Sequence, residues 1–198
     1  MLDQLDRGAR AFRTLSARVE RTKVTVVVND RSTESGEFYV RGDGKMRLDL
    51  TVPDIRTILR VGDNLYIYTP RISQVDEYNL AKHRDLVDQL LLLGFGTRSH
   101  LLKKAYLITL LGEQTLGDQK TILLEMTPKS DEVRNQISKI QLWVDEATWL
   151  PVQQKFFETG TQDYFIIRYS NVVRNAALSA DLFKARWPKG TKKIKPAG

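Results

Sequence analysis

The pattern of apolar and polar residues changes three times along this chain. From Leu2 to Val19 the apolar positions recur every three or four residues, with arginine and aspartate between them, which predicts an amphipathic helix with one buried stripe. Beyond this helix the spacing falls to two, and short β-branched or aromatic runs alternate with Gly, Asn, Asp and Pro clusters. Six antiparallel strands are predicted there, at residues 23–29, 34–41, 45–52, 56–62, 64–69 and 72–78.

The strand pattern stops for an insertion at residues 79–105, which contains the four adjacent leucines at 90–93. Gly94 and Gly96 interrupt it, so two short helices with a glycine hinge are predicted. The apolar block is far shorter than the roughly 18 residues needed to cross a bilayer. Because a helix that is apolar all round must be buried on several sides, the block is either a core helix or a lid over an apolar cavity.

Strand patterns resume after the insertion. A hairpin is predicted at 106–129 and three further strands at 137–173. The sequence therefore predicts a mainly β fold, with about eleven antiparallel strands in a large, strongly curved sheet. The interior of such a sheet is wide enough to need a ligand or helices to fill it, and this favours the lid interpretation of the leucine block.

Composition limits the possible functions without selecting one. The 198 residues, 41% of them hydrophobic, suit a single domain over 1–198, with a basic tail at 190–198 that is expected to fray. The 31 Lys and Arg against 24 Asp and Glu give a net charge of +7, which suits nucleic acid, anionic lipid or an acidic partner. The basic residues are scattered and no nucleic-acid-binding motif accompanies them, so no nucleic-acid partner is predicted, whereas transient membrane proximity stays open.

No catalytic chemistry is indicated by the motifs. The chain has no cysteine, and its two histidines, His83 and His100, lie among basic residues without metal-ligand spacing. No HExxH, GxSxG or P-loop pattern is present, so we predict no enzyme activity, metal site or cofactor. Met1 leads directly into an amphipathic segment, which means that the protein is cytosolic or that a signal peptide has been removed.

The order of several motifs resembles a known family. The amphipathic N-terminal segment is followed by "SGEFYVRGDGKMRLDL", "LRVGDNLYIYTPRISQV", the leucine-rich insertion, "LLEMTPK", "IQLWVDEATWLPVQQ" and "NAALSADLFKARWPKG". Over nearly the whole chain this order is similar to the LolA-like periplasmic carriers of outer-membrane lipoproteins. The resemblance implies an unclosed antiparallel β-barrel with a helical lid, acting as a monomeric carrier of acylated lipoproteins or another lipid. It also implies a periplasmic location after signal-peptide removal, an inner-membrane transporter that releases the cargo and an outer-membrane acceptor.

The resemblance also suggests site residues. It places the lid at Leu86, Leu90, Leu91, Leu92, Leu93, Phe95, Leu101 and Leu102. Arg41 is the best match to the family's lid-locking arginine, although it comes one position early and "GDG" replaces the proline that follows, and a solvated strand-end arginine is the alternative. Strand alternation favours a cavity lining of Phe38, Met46, Leu48, Leu50, Leu65, Ile67, Ile122 and Leu124, but it does not tell which face is concave.

A lipid carrier must bury its cargo incompletely. Three chains of about 16 carbons at ~0.8 kcal/mol per methylene would contribute roughly 38 kcal/mol, well beyond the ~18–21 kcal/mol at which affinity saturates. A lid whose apolar face refills the cavity after release solves this problem.

The alternative function is a lipid-sensing regulatory domain of the same fold that controls a membrane signalling partner. Such a sensor is expected to need a further interaction domain, for which 198 residues leave no room.

Overall fold

A computed structural model describes residues 2–81, 93, 95 and 99–196. Its helices are α1 (Leu2–Ala11), α2 (Ser99–Ala105) and α3 (Asp131–Arg134), with 3₁₀ turns at Pro70–Ile72 and Ala180–Phe183. The strands of the described residues are β1 (Thr14–Thr25), β2 (Asp30–Arg41), β3 (Met46–Val52), β4 (Arg56–Val61), β5 (Asn64–Thr69), β6 (Gln74–Asn79), β7 (Tyr106–Leu116), β8 (Gln119–Pro128), β9 (Ile137–Asp145), β10 (Pro151–Glu158), β11 (Tyr164–Arg174) and β12 (Lys192–Ile194). Among the helices described, none is long and apolar enough to span a bilayer.

These strands form one sheet with a linear order, β12-β6-β5-β4-β3-β2-β1-β11-β10-β9-β8-β7. The two end strands, β12 and β7, do not pair with each other, so the sheet is unclosed. The mainly β, unclosed fold predicted from the sequence is therefore confirmed, and the described residues form twelve strands where about eleven were predicted. The pairings from β2 to β6 and from β7 to β11 are antiparallel, whereas β12 runs parallel to β6.

The chain divides into two compact units. The first consists of residues 1–11, 20–33 and 92–170, and contains α1, α2, α3 and strands β7 to β10. The second consists of residues 12–19, 34–91 and 171–198, and contains β3 to β6, both 3₁₀ turns and β12.

In the second unit, the register of β2 to β5 separates two faces of the meander. Phe38 pairs with Leu48, Leu48 with Ile58, and Ile58 with Ile67. Residues paired directly across a sheet share a face, and so do residues two apart on one strand. We call the face that carries these four side chains the apolar face of β2–β5.

The opposite face of this meander is covered by the segment that follows β11. The Trp187 ring packs against Tyr66 and Tyr68, with ring centroids 6.0 and 5.0 Å apart. Arg47 donates a hydrogen bond of 3.0 Å from Nη1 to the carbonyl oxygen of Leu182, which lies in the second 3₁₀ turn. One face of β2–β5 is thus covered by Trp187 and the second 3₁₀ turn, and the other is the apolar face.

Three sequence predictions about element boundaries are wrong. The N-terminal helix ends at Ala11 rather than Val19, and β1 begins at Thr14. Residues 26–29, predicted as the end of a strand, form a turn that closes with Asn29 at φ 50°. The basic tail is also partly ordered, since 192–194 form β12 and Lys192 donates its N–H to the Ser73 carbonyl oxygen at 2.8 Å.

Candidate functional site

Six of the eight predicted lining residues lie on the apolar face of β2–β5. The strand register places Phe38, Met46, Leu48, Leu50, Leu65 and Ile67 together there. Phe38, Met46 and Leu50 are buried, whereas the other three side chains are half-buried. The prediction from alternation left the choice of face open, and the register shows that the six residues belong to one face.

Arg60 is an unexpected member of the same face. It pairs with Met46 on one side and Leu65 on the other, and only 2% of its surface is exposed. The sequence-based predictions did not place Arg60 on this face, although the turn that follows it indicates this position. The two-residue turn Gly62–Asp63 pairs Val61 with Asn64, and this register alone places Arg60 opposite Leu65.

The other two predicted lining residues, Ile122 and Leu124, belong to the first unit. Leu124 pairs with Leu142, which in turn pairs with Gln154, and Ile122 lies on the same side of β8. Leu124 is buried and Ile122 is half-buried. We call this side of β8–β10 the Gln154 face.

The middle of the insertion is anchored to Gln154. Leu93 and Phe95 are buried, and Gln154 donates a hydrogen bond of 2.8 Å from Nε2 to the Leu93 carbonyl oxygen. The hydroxyl of Tyr169 donates to Gln154 Oε1 at 3.1 Å, and its ring meets Phe95 edge-on at 4.9 Å. Burial raises the pKa of Tyr169, so its hydroxyl stays protonated and donates at neutral pH.

The remaining predicted lid residues divide into two groups. Leu102 on α2 is buried, whereas Leu101 beside it is 48% exposed. Leu86, Leu90, Leu91 and Leu92 lie outside the described residues.

A second anchor joins α1 to the start of α2. The Asp6 carboxylate accepts the Ser99 N–H at 2.6 Å and the Ser99 hydroxyl at 2.8 Å. The backbone hydrogen bond from Ser99, followed by that of its hydroxyl, lowers the pKa of Asp6. A carboxylate at this position satisfies an otherwise unpaired helix N–H and suits the positive end of the helix. The two anchors hold the insertion at Leu93–Phe95 and at Ser99.

Arg41 lies on the face opposite the apolar face of β2–β5. Its Nη2 forms an ion pair of 3.2 Å with Asp43 Oδ2, and its guanidinium lies 5.7 Å from the centre of the Phe183 ring. The backbone N–H of Arg41 donates to the Lys45 carbonyl oxygen at 2.9 Å. These contacts connect Arg41 with the β2–β3 turn and the second 3₁₀ turn.

A small pocket also opens on this opposite face. It has a volume of about 110 Å³ and is lined by Tyr66, Val75, Glu77, Ala185, Trp187 and Lys193. Pockets for small ligands typically measure roughly 300–1,000 Å³, so this pocket does not suit an acyl chain. Within residues 2–81 and 99–196, no group of His, Cys, Asp and Glu side chains is arranged to hold a metal ion.

Several solved structures share this fold. An uncharacterized conserved protein from Thermus thermophilus has a TM-score of 0.64 at 12% identity, over 98% of this chain and 96% of that one. MucB has a TM-score of 0.55 at 20% identity over 93% of this chain, which spans 62% of MucB, and MucB from Pseudomonas aeruginosa has also been solved with MucA. The lipoprotein LppX from Mycobacterium tuberculosis has a TM-score of 0.52 at 13% identity, over 89% and 94% of the two chains. Each of these similarities lies below 25% identity, and together they show a shared fold.

Sequence comparison is less informative than structure. No curated protein matches this chain. A family model described as "Uncharacterized protein" matches residues 54–176. Because this match covers more than half of the chain, the chain belongs to that family.

Proposed function

We propose that this protein is a periplasmic carrier that binds the acyl chains of lipoproteins, or another lipid, and shuttles them from the inner to the outer membrane. The observation that carries the proposal is the apolar face of β2–β5, on which six predicted lining side chains stand together. Such a face offers dispersion contacts and removes apolar surface from water, which is what an acyl chain requires. Cargo then moves by differences in affinity between partners, without catalysis or a cofactor.

The predicted lid belongs to the same proposal. Leu86 and Leu90 to Leu92 would cover the acyl chains, while the hydrogen bond from Gln154 to Leu93 fixes the residue that directly follows them. When the cargo leaves, the leucines would occupy the space of its chains. This exchange keeps the net affinity within the range from which a cargo can be released.

Lipid content and transfer test this proposal directly. The purified protein is extracted with organic solvent, bound lipids are identified by mass spectrometry, and release of lipoprotein from spheroplasts is measured. Leu65→Gln and Ile67→Gln are expected to reduce both, because they place amides on the apolar face. Leu107→Gln is the matched control, since Leu107 is 63% exposed on β7. Absence of both bound lipid and release activity in the unmodified protein would refute the carrier function.

Arg41 is tested separately as the lid-locking residue. Arg41→Leu is expected to change the rate of cargo release with little effect on thermal stability, because the ion pair with Asp43 is partly exposed and such pairs contribute about 0–1 kcal/mol. Lys45→Leu, which removes another cation beside Asp43, is the control. Equal release rates in all three proteins would leave Arg41 without a lid role.

The similarity to MucB favours a second candidate function, a lipid-sensing regulator. MucB has been solved in complex with MucA, a partner protein. By analogy, this chain would bind the periplasmic part of a membrane signalling protein and release it when lipid occupies the apolar face. A partner complex that dissociates on addition of lipid, together with no transfer of lipoprotein to acceptor membranes, would support the regulator over the carrier.

A further inference from the structure

The pocket of about 110 Å³ in the second unit combines aromatic rings with charges of both signs. Glu77 pairs directly with Tyr66, so the two side chains share one side of the sheet. Lys193 pairs with Val75, two residues before Glu77 on β6, and therefore lies on that side as well. The Trp187 ring packs beside Tyr66, with the ring centroids 6.0 Å apart. A carboxylate, an ammonium group and two aromatic rings thus meet around one cavity.

The Glu77 carboxylate is left without a partner by the part of the chain that the structure describes. Its side chain is half-buried, and it forms no ion pair or hydrogen bond there. Burial, followed by the negative charge of Glu77, raises the pKa of Tyr66, because the carboxylate lies close to the phenol. A carboxylate that has lost part of its hydration gains a charge-assisted hydrogen bond from a bound ammonium group. The site therefore favours a cation.

The aromatic rings favour a small ammonium group in particular. The faces of Trp and Tyr rings attract cations through the negative charge of their π-systems. Trp187 also packs against Tyr68 at 5.0 Å, which fixes the position of its ring. Pockets for whole small ligands measure roughly 300–1,000 Å³, so a cavity of about 110 Å³ receives one group of a ligand. An alkylammonium group combines the required charge with the required size.

The surroundings of the pocket select against a simple cation. Residues 184–195 carry six lysine and arginine residues and neither aspartate nor glutamate, so a free amine that approaches the pocket meets a positive potential. Lys193 lines the pocket itself and forms no ion pair with Glu77. Lysine binds phosphate groups as a point charge. A ligand that joins an ammonium group to a phosphate therefore satisfies both side chains.

We propose that this pocket binds a phosphoethanolamine group. The ammonium group lies against Glu77 and the rings of Tyr66 and Trp187, and the phosphate lies at Lys193. Two sources share this chemistry, the headgroup of phosphatidylethanolamine at a membrane surface and free phosphoethanolamine in solution. The pocket is on the side of the meander opposite the apolar face, so the proposal does not depend on the carrier or regulator function.

The indole N–H signals of the tryptophans in a proton–nitrogen correlation spectrum test the site directly. Trp143, whose indole donates to Gln114 Oε1 at 2.9 Å in the first unit, is the internal reference. Titration with phosphoethanolamine at pH 7 is expected to shift the Trp187 signal, assigned with Trp187→Phe, at a dissociation constant on the order of 1 mM. Ethanolamine and inorganic phosphate should each bind on the order of tenfold more weakly, because each lacks one of the two charged contacts.

Three substitutions assign the contacts. Glu77→Gln keeps the shape of the side chain and should weaken phosphoethanolamine binding about tenfold, since a neutral hydrogen bond replaces a charge-assisted one. Lys193→Met should weaken it about threefold, because the lysine is exposed. Lys192→Met, at the next residue and on the other side of β12, is the matched control and should leave the affinity unchanged. Lys193→Met carries the test should Glu77→Gln not fold.

An unmoved Trp187 signal, or an affinity that Glu77→Gln leaves unchanged, overturns the proposal. Equal affinity for inorganic phosphate would show an anion site and equal affinity for ethanolamine a cation site, and either result also overturns it. Co-sedimentation with phosphatidylglycerol vesicles, with and without phosphatidylethanolamine, separates the two sources. A loss of vesicle binding in Glu77→Gln that depends on phosphatidylethanolamine identifies the lipid headgroup, whereas equal sedimentation of both proteins, with binding of free phosphoethanolamine, identifies the soluble ligand.

Discussion

Replacing Gln154 tests whether one buried amide holds the insertion at Leu93. Gln154→Ala removes the donor to the Leu93 carbonyl and the acceptor of the Tyr169 hydroxyl, and both of these groups are buried. Each polar group left without a partner costs about 1–3 kcal/mol, so we expect a loss of roughly 3 kcal/mol in the free energy of unfolding. For a chain of this size that corresponds to a fall in Tm of about 6–12 °C. Tyr169→Phe removes one of the two hydrogen bonds and should cost about 1 kcal/mol.

The absence of cysteine from the chain allows a local assay of the same contact. Leu93→Cys places a single thiol at a fully buried position, and its rate of reaction with a maleimide reports how often this part of the insertion leaves the Gln154 face. In the Gln154→Ala background the rate should rise by one to two orders of magnitude, in proportion to the lost free energy. Leu107→Cys, at an exposed position, should react quickly in both backgrounds.

A control separates local opening from general destabilisation. Val75→Ala truncates a buried side chain in the second unit, and a large-to-small change of this kind costs a few kcal/mol. If the anchor acts locally, Val75→Ala should lower Tm but increase the reaction rate at position 93 far less than Gln154→Ala does. Equal rates of maleimide reaction at position 93 in the two variants would refute local anchoring by Gln154 and would show that it is an ordinary core residue.

Three further substitutions test other contacts. Hydrogen bonds from the Ser99 N–H and hydroxyl hold the pKa of Asp6 below its ordinary value of 3.8. The stability that these hydrogen bonds contribute is therefore present above pH 3.8 and is lost as the pH falls through the lower pKa of the folded protein. Asp6→Asn should lower Tm at pH 7 and weaken the dependence of Tm on pH between 5 and 2. Gly36→Ala would place a Cβ atom 2.0 Å from the Asp49 carbonyl oxygen and should lower the free energy of unfolding, measured by chemical denaturation, by about 1–3 kcal/mol. Gly42→Ala would place a Cβ atom no closer than 3.4 Å to its neighbours and should leave this free energy nearly unchanged. Trp187→Leu removes ring contacts with Tyr66 and Tyr68 and should lower stability by about 1–3 kcal/mol while reducing the near-ultraviolet circular dichroism; an unchanged Tm would contradict the packing role.

Local turn chemistry accounts for most of what could be predicted from the sequence. Clusters such as Gly42–Gly44 and Gly62–Asp63 mark hairpins because glycine adopts positive φ without strain, as Gly44 and Gly62 do. Once a turn is placed, the register follows, and with it the grouping of Phe38, Leu48 and Ile67 on one face. The strands from β2 to β10 were therefore accessible from the pattern of residues.

The end of the first helix was not predictable from periodicity alone. Leu15 and Val19 are four residues apart, and this spacing fits one face of a helix as well as one face of a strand. Ala17 between them is also buried, which only a spacing of two explains. Alanine is a strong helix former, so its burial between two apolar residues did not signal a strand.

Contacts between distant segments were equally hidden. Trp187 lies in a stretch without regular periodicity, and its partners Tyr66 and Tyr68 belong to β5. Arg60 was overlooked because arginine is normally read as a surface residue, and only the register reveals its apolar neighbours. The chemistry of the candidate site thus depends on pairings that single-strand patterns do not contain.

The parallel pairing of β12 with β6 has a consequence for how the protein is made. Lys192 and Gln74 are joined in this pair although more than a hundred residues separate them, so the contact requires closure of a long loop. During synthesis the free edge of β6 emerges from the ribosome long before its partner strand exists. An uncovered edge with free N–H and C=O groups is a template for association with other nascent chains. We therefore expect synthesis at high rates to produce aggregates whose fraction rises when 192–194 are removed, with the two lysines of β12 serving to blunt the finished edge.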